Sequence, residues 1–272
     1  MNHARPIQVI AVTSGKGGVG KTHLAINLSL ALAELQRRVV LLDADLALGS
    51  VDQTLGLTVE KSLADVIAGE ASMRDVIADG PGGIRIVPAP SGVQPMSSLN
   101  THQHAALIHG FNELSDELDV MVVDTAPGIS DMVTNFVCAS REVIMVVCDE
   151  PASIAGAHAL IRLLSEDKGI FRFRVVCNRV RNAQEGKTLF GKLNELCEAS
   201  VDVALHYLGH VPFDESMTTA SQKQKPLLEL APRGRAAQAI RVLAQKLDDL
   251  PPSTVSGGRL EFFVEQLVRG NA

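Results

Sequence analysis

Apolar positions in this chain gather into short continuous runs, and between them stand stretches with helical spacing. The runs cover Ile7–Thr13, Arg38–Asp43, Ile84–Val87, Asp119–Asp124, Glu142–Cys148, Phe173–Asn178 and Ala204–Val211. Runs of this length without alternation belong to strands buried on both faces of a sheet. The spacing predicts helices over Thr22–Gln36, Thr101–Leu118, Ser153–Ser165, Ala183–Glu198, Ser216–Gln224 and Gly234–Leu247, and two short ones within Ser62–Ala78, parted at Gly69. Pro81-Gly82-Gly83 reads as a turn and Pro88–Pro95 as a loop. Strands that alternate with helices at this pitch predict an α/β fold, a mainly parallel sheet of about seven or eight strands with helices on both faces. One break interrupts the pattern, the Pro-, Ser- and Gly-rich stretch Pro251–Gly258. The chain therefore divides into a globular domain over 1–249, a flexible linker over 250–258 and a tail over 259–272.

Composition narrows the class. Of 272 residues, 46% are hydrophobic but only 3% aromatic, so the core is aliphatic. A formal charge of −6 argues against a surface that binds nucleic acid by bulk electrostatics, and no direct DNA binding is expected. Cys138, Cys148, Cys177 and Cys197 form no C-x-x-C pair and read as small core residues in a reducing compartment. Neither a signal-peptide pattern nor a membrane-spanning run is present, so a cytoplasmic protein is expected.

The chemistry begins after the first strand. Gly15-Lys16-Gly17-Gly18-Val19-Gly20-Lys21-Thr22 fits G-x-x-x-x-G-K-[ST] between a strand and a helix, the context that a phosphate-binding loop requires. Glycines let backbone N–H groups turn inward onto phosphate oxygens. Lys21 would reach the β- and γ-phosphates, and Thr22 would offer its hydroxyl to Mg²⁺. Two later strands end in acids, at Asp43-Ala44-Asp45 and Asp124-Thr125-Ala126-Pro127-Gly128. Ligands of open α/β sheets sit at the carboxyl ends of strands, and carboxylates there need a cation. Asp43 and Asp124 are the candidate metal side chains beside Thr22, and Asp45 is the candidate for orienting an attacking water. Gly128 would let its loop move when the γ-phosphate leaves.

With its extra lysine, Lys16-Gly17-Gly18-Val19-Gly20-Lys21-Thr22 resembles the deviant Walker A box of the MinD/ParA family of P-loop ATPases. Asp43–Asp45 is similar to that family's switch I, and Asp124–Gly128 to its Walker B and switch II. The resemblance implies ATP or ADP with Mg²⁺ as ligands and a nucleotide-sandwich homodimer in which Lys16 reaches the partner's phosphates. Lys16, Lys21 and Asp45 would then carry catalysis. Asn178 matches the asparagine that reads the adenine amino group, and Pro212-Phe213-Asp214 the loop that closes over the base. Glu150, in Asp149-Glu150-Pro151, matches a segment near the partner's nucleoside; as a strand-to-helix turn with Pro151 at the first helical position it reads equally well.

Within the family, several segments are similar to the flagellar-number regulators of the FlhG/FleN type: Leu41–Asp52, Gly82–Ala89, Cys148–Ile154, Val203–Gly209 and Gly258–Glu265. Iron–sulfur carriers of the wider superfamily need closely spaced cysteines. DNA-binding partition ATPases need a basic surface, which the −6 charge and residues 200–250 do not supply. Cell-division MinD and ParA-type partition proteins remain the alternatives. The resemblance implies restraint of a FleQ-like flagellar activator. Met1–Pro6 lacks the D-Q-A-x-x-L-R segment with which many such proteins activate the GTPase FlhF, which puts that partner in question.

The tail carries its own pattern. On a helix, Leu260, Phe263, Val264, Leu267 and Val268 share one face and Phe262 widens it. An amphipathic helix behind a flexible linker suits reversible peripheral attachment to the inner membrane surface, strengthened when a dimer presents two copies.

Overall fold

The computed structural model describes residues 7–45, 49–89, 109–111, 113–114 and 117–251. Its centre is β1 (Gln8–Thr13), flanked on one side by β5 (Val120–Thr125) and on the other by β6 (Glu142–Val147). Outside β5 lie β2 (Val39–Ala44), β4 (Arg85–Val87) and β3 (Ala78–Asp79); outside β6 lie β7 (Arg172–Val180) and β8 (Ala204–Pro212). The eight strands run in the order β3-β4-β2-β5-β1-β6-β7-β8. Every pairing is parallel except β3 with β4, where Ala78 opposes Ile86. The expected mainly parallel sheet is therefore present, closed at one edge by a two-residue antiparallel strand.

Helix α1 (Lys21–Glu34) follows β1 and is buried on nearly every side, from Leu24 through Leu32. A helix enclosed all round needs no polar face, which is why its sequence reads as almost continuously apolar. It lies between the sheet and α10 (Arg235–Asp248), whose Ala236, Ile240, Leu243 and Leu247 join the same core. The other sheet face is covered by α5 (Asp131–Ala139), α6 (Pro151–Lys168) and α7 (Ala183–Glu198), with Val133, Leu160, Ile161, Leu164, Leu189 and Leu193 packed inward. Short helices α2 (Val51–Leu55), α3 (Leu63–Ala68) and α4 (Met73–Val76) follow β2; α8 (Glu215–Gln222) and α9 (Leu227–Leu230) precede α10. Both α3 and α4 open on a capping box, Ser62 with Asp65 and Ser72 with Asp75, which satisfies two orphan N–H groups at each end.

Four elements go beyond the sequence pattern: β3, α2, α5 and α9. Two to five residues are too few to show a period, which accounts for β3, α2 and α9. In α5, Val133, Thr134, Phe136 and Val137 carry strand-favouring side chains, and burial against β1 and β5 overrides that preference. The helix expected over 101–118 falls largely outside the described residues. So do residues 46–48, most of the loop ending at Pro95, the linker beyond Pro251, and the tail with Leu260, Phe262, Phe263, Val264, Leu267 and Val268.

Candidate nucleotide site

The carboxyl ends of the parallel strands share one edge of the sheet. Register pairs Asp43 of β2 with Asp124 of β5, and Val12 of β1 with Asp124, so both acids stand beside the loop that leaves β1. In that loop Gly18 and Gly20 hold φ of 79° and 85°, and the Gly20 carbonyl accepts the N–H of Leu24 at 3.0 Å to start α1. Left-handed backbone at both positions favours glycine. Gly15 is required for another reason. A Cβ there would sit 1.9 Å from the carbonyl oxygen of Gly156 in α6, so loop and helix touch backbone to backbone. Ser14 ties the turn together: its hydroxyl donates to the Lys16 carbonyl at 3.0 Å, and its own carbonyl accepts the Gly128 N–H at 2.9 Å. The phosphate loop is thereby fastened to the segment after β5.

Lys21 Nζ donates to Asp124 Oδ1 at 2.8 Å, both side chains being buried. The other oxygen, Asp124 Oδ2, is buried with no hydrogen-bond partner among the described residues. Asp43 caps the turn into α2: Oδ1 accepts the Asp45 N–H at 3.0 Å, and Oδ2 those of Ser50 and Val51 at 2.8 and 3.0 Å. Burial first, and then the neighbouring Asp124 charge, push the Asp43 carboxyl up to about 6 against the pull of those three N–H groups. Two facing buried carboxylates, one with an unsatisfied oxygen, form a site that gains from a divalent cation. Thr22 Oγ1 lies 3.2 Å from Ser50 Oγ at the same place. Magnesium usually takes one or two carboxylates with phosphate oxygens, and these residues supply that donor set. The buried Asp45 carboxylate stands two residues on, at the end of the described part of this turn.

A cavity beside the phosphate loop lies between β7, β8 and α8. This cavity of about 270 Å³ is bounded by Gly20, His23, Asn178, Arg179, Phe213 and Met217, with Pro212 and Asp214 also on its wall. Asn178 Nδ2 donates to the Val19 carbonyl at 2.7 Å, while Oδ1 accepts the Arg179 N–H at 3.0 Å, so the amide is fixed at both ends against the phosphate loop. A free lone pair on Oδ1 and a free N–H on Nδ2 remain, the donor–acceptor pair that matches the amino group and N7 of adenine. Arg179 holds φ of 60° and donates from its guanidinium to the Gly18 carbonyl at 3.3 Å. Asp214 has a structural duty: its carboxylate accepts N–H groups of Ser216 and Ala236, capping α8 and tying it to α10. Burial lowers the pKa of His23 against the opposing pull of the Asp124 charge, which favours the neutral ring.

Lys16 does not turn to its own loop. Its ammonium pairs with the Glu150 carboxylate, which stands just before α6 with Pro151 at the helix start, as the turn reading of that segment expected. Ser50, His23, Arg179 and Met217 also stand at the site, Ser50 within the segment Leu41–Asp52. Nothing in their types or spacing marks them, because the fold alone brings them to the site. Burial pushes the thiols of Cys148 and Cys197 up to about 11 and that of Cys177 to about 12, so these cysteines are inert core groups.

The chain is similar to known proteins over most of its length. A ParA family model described as "NUBPL iron-transfer P-loop NTPase" matches residues 6–248. The antiactivator FleN of Pseudomonas aeruginosa is 55% identical over 269 residues, covering 99% of this chain and 96% of that one. The flagellum site-determining protein YlxH of Helicobacter pylori is 28% identical over 236 residues, 86% of this chain and 80% of its own. Among solved structures, septum site-determining MinD of Pyrococcus horikoshii, complexed with Mg-ADP, superimposes with a TM-score of 0.70 at 23% identity, over 92% of this chain and 100% of that one. Motif, sheet order and family match agree: the chain belongs to the ParA/MinD family of P-loop ATPases.

Proposed function

We propose that the chain is an ATP-dependent, dimerising switch that sets flagellar number and placement. Its likeness to FleN over nearly its whole length, together with YlxH, supports the flagellar setting. The observation that carries the switch is the Lys21–Asp124 pair beside an unsatisfied carboxylate oxygen, a centre that phosphate and a divalent ion would re-partner.

On this reading the backbone of Gly15–Gly20 cradles the phosphates and Lys21 neutralises them. Thr22, Asp43 and Asp124 would hold Mg²⁺, which would neutralise charge on the phosphates; the P. horikoshii relative is complexed with Mg-ADP. Asp45 orients water, and Asn178 selects adenine. Gly128, hydrogen-bonded to Ser14, reports the state of the phosphates to the surface segment that follows it. A second copy of the chain completes the site with Lys16. The output is restraint of a FleQ-like activator and reversible attachment to the inner membrane through Leu260, Phe262, Phe263, Val264, Leu267 and Val268. Among the described residues no helix is long and apolar enough to cross a membrane. FlhF is a further partner to test.

Deleting the gene and counting flagella per cell tests the pathway. Extra or misplaced flagella support it; unchanged flagella with minicells select a MinD-like role in cell division instead.

A further inference from the structure

The ion pair between Lys16 and Glu150 is not an incidental contact of two surface chains. Lys16 follows Gly15, whose Cα lies against the Gly156 backbone, and Glu150 begins the helix that carries Gly156. The two side chains are thus mounted on pieces of backbone in direct contact. The Lys16 carbonyl is held by Ser14, which also fixes the backbone from which the lysine projects. Glu150 stands at the capping position just before α6 yet makes no side-chain hydrogen bond to the helix, so its carboxylate has no capping duty and is given to Lys16. The hydrogen bond and charge of Lys16, and after them the more distant charge of Arg179, hold the Glu150 carboxyl below its ordinary value against a small opposing effect of burial.

A lysine engaged in this way is not available to a second chain. We infer that Glu150 is a brake on self-association: in the single chain it holds Lys16, and the ATP-bound dimer forms only by breaking this pair on both copies. The inference rests on the dimer reading above and deepens it by naming what opposes the dimer. Both side chains are accessible, 40% for Lys16 and 43% for Glu150, so solvent screens the pair and the brake is light. It is suited to being overcome by a phosphate that carries more charge than one carboxylate. Because a dimer breaks two such pairs, removing the brake should tighten association by about 2- to 30-fold.

The test compares wild type, Glu150→Gln and Lys16→Gln by sedimentation equilibrium with Mg²⁺ and a non-hydrolysable ATP analogue. Nucleotide affinity is measured in parallel by calorimetry. Because Glu150 caps nothing, Glu150→Gln keeps the helix start and tests charge alone. A tighter dimer for Glu150→Gln, with Lys16→Gln monomeric, is the expected result. A wild-type dimer that Glu150→Gln leaves unchanged or weakens overturns the brake and leaves the dimer reading standing, with Glu150 then facing the partner. Wild type and Glu150→Gln both monomeric while saturated with the analogue overturn the dimer reading and the brake together.

Discussion

Asp43 and Asp124 oppose each other in register at the carboxyl ends of adjacent parallel strands, and only Asp124 has a cation, Lys21, at 2.8 Å. Two buried carboxylates with one ammonium leave an excess negative charge in the interior. That charge is an apt receptor for a divalent ion and a poor one for water. The fold therefore places at this point a demand that a divalent ion would meet.

Lys21→Ala leaves Asp124 buried without its cation, a state that costs about 3–5 kcal/mol. Urea denaturation without nucleotide should show a loss of that size, and ATP turnover should fall by at least about 100-fold. A variant that loses turnover at unchanged stability would show that the pair contributes nothing to the free fold.

The contact between Gly15 and Gly156 predicts that Gly15→Ala is destabilising by about 1–3 kcal/mol or more, because neither backbone can yield. Gly17→Ala is the control. Its Cβ would meet Pro127 at an ordinary 3.7 Å, so its melting temperature should stay near that of the wild type.

Asn178 predicts base selectivity. Removing the amide by Asn178→Ala should weaken ATP binding by about 5- to 30-fold, since a hydrogen-bonded pair contributes roughly 1–2 kcal/mol, and should leave GTP binding nearly unchanged. Competition titrations of ATP against GTP read this directly. Equal losses for both nucleotides would place Asn178 in loop support alone, through its bond to Val19.

The raised pKa of Asp43 has a defined sign. With a folded value of about 6 against 3.8, the nucleotide-free fold favours the neutral acid; that stability is complete below 3.8 and is lost as pH rises through about 6. Bound Mg²⁺ requires the ionised acid, so the cation's stabilising effect should grow between pH 5 and 7. The Mg²⁺ dependence of ADP affinity, wild type minus Asp43→Asn, should fall about tenfold per pH unit below pH 6. Subtraction removes the titration of the phosphate itself. A flat difference would rule Asp43 out of the cation site.

Much of this site is legible in the sequence because its residues stand at strand ends, where a buried apolar run stops at Asp43, Asp124 or Asn178. Gly15 and Gly20 are legible by motif, but their partners, Gly156 and Asn178, lie more than a hundred residues away and only the fold brings them together. The same holds for the hold of Glu150 on Lys16. The segment carrying Glu150 matched a region near a partner's nucleoside, whereas in the single chain its carboxylate faces Lys16. Asp214 illustrates the opposite limit: the sequence offers it only as part of a loop resembling one that closes over adenine, whereas its capping bonds to Ser216 and Ala236 depend on where α10 begins. Helix α5 stayed hidden because Val, Thr and Phe favour strands locally, and burial decided otherwise.

The most direct test of the switch is the solution mass with ATP or ADP, in the presence of Mg²⁺, by light scattering on the full chain. The mass should double with a non-hydrolysable ATP analogue, stay that of one chain with ADP, and no longer respond to ATP in Lys16→Ala. The same mass in both nucleotides, at concentrations that saturate the site, would contradict the switch.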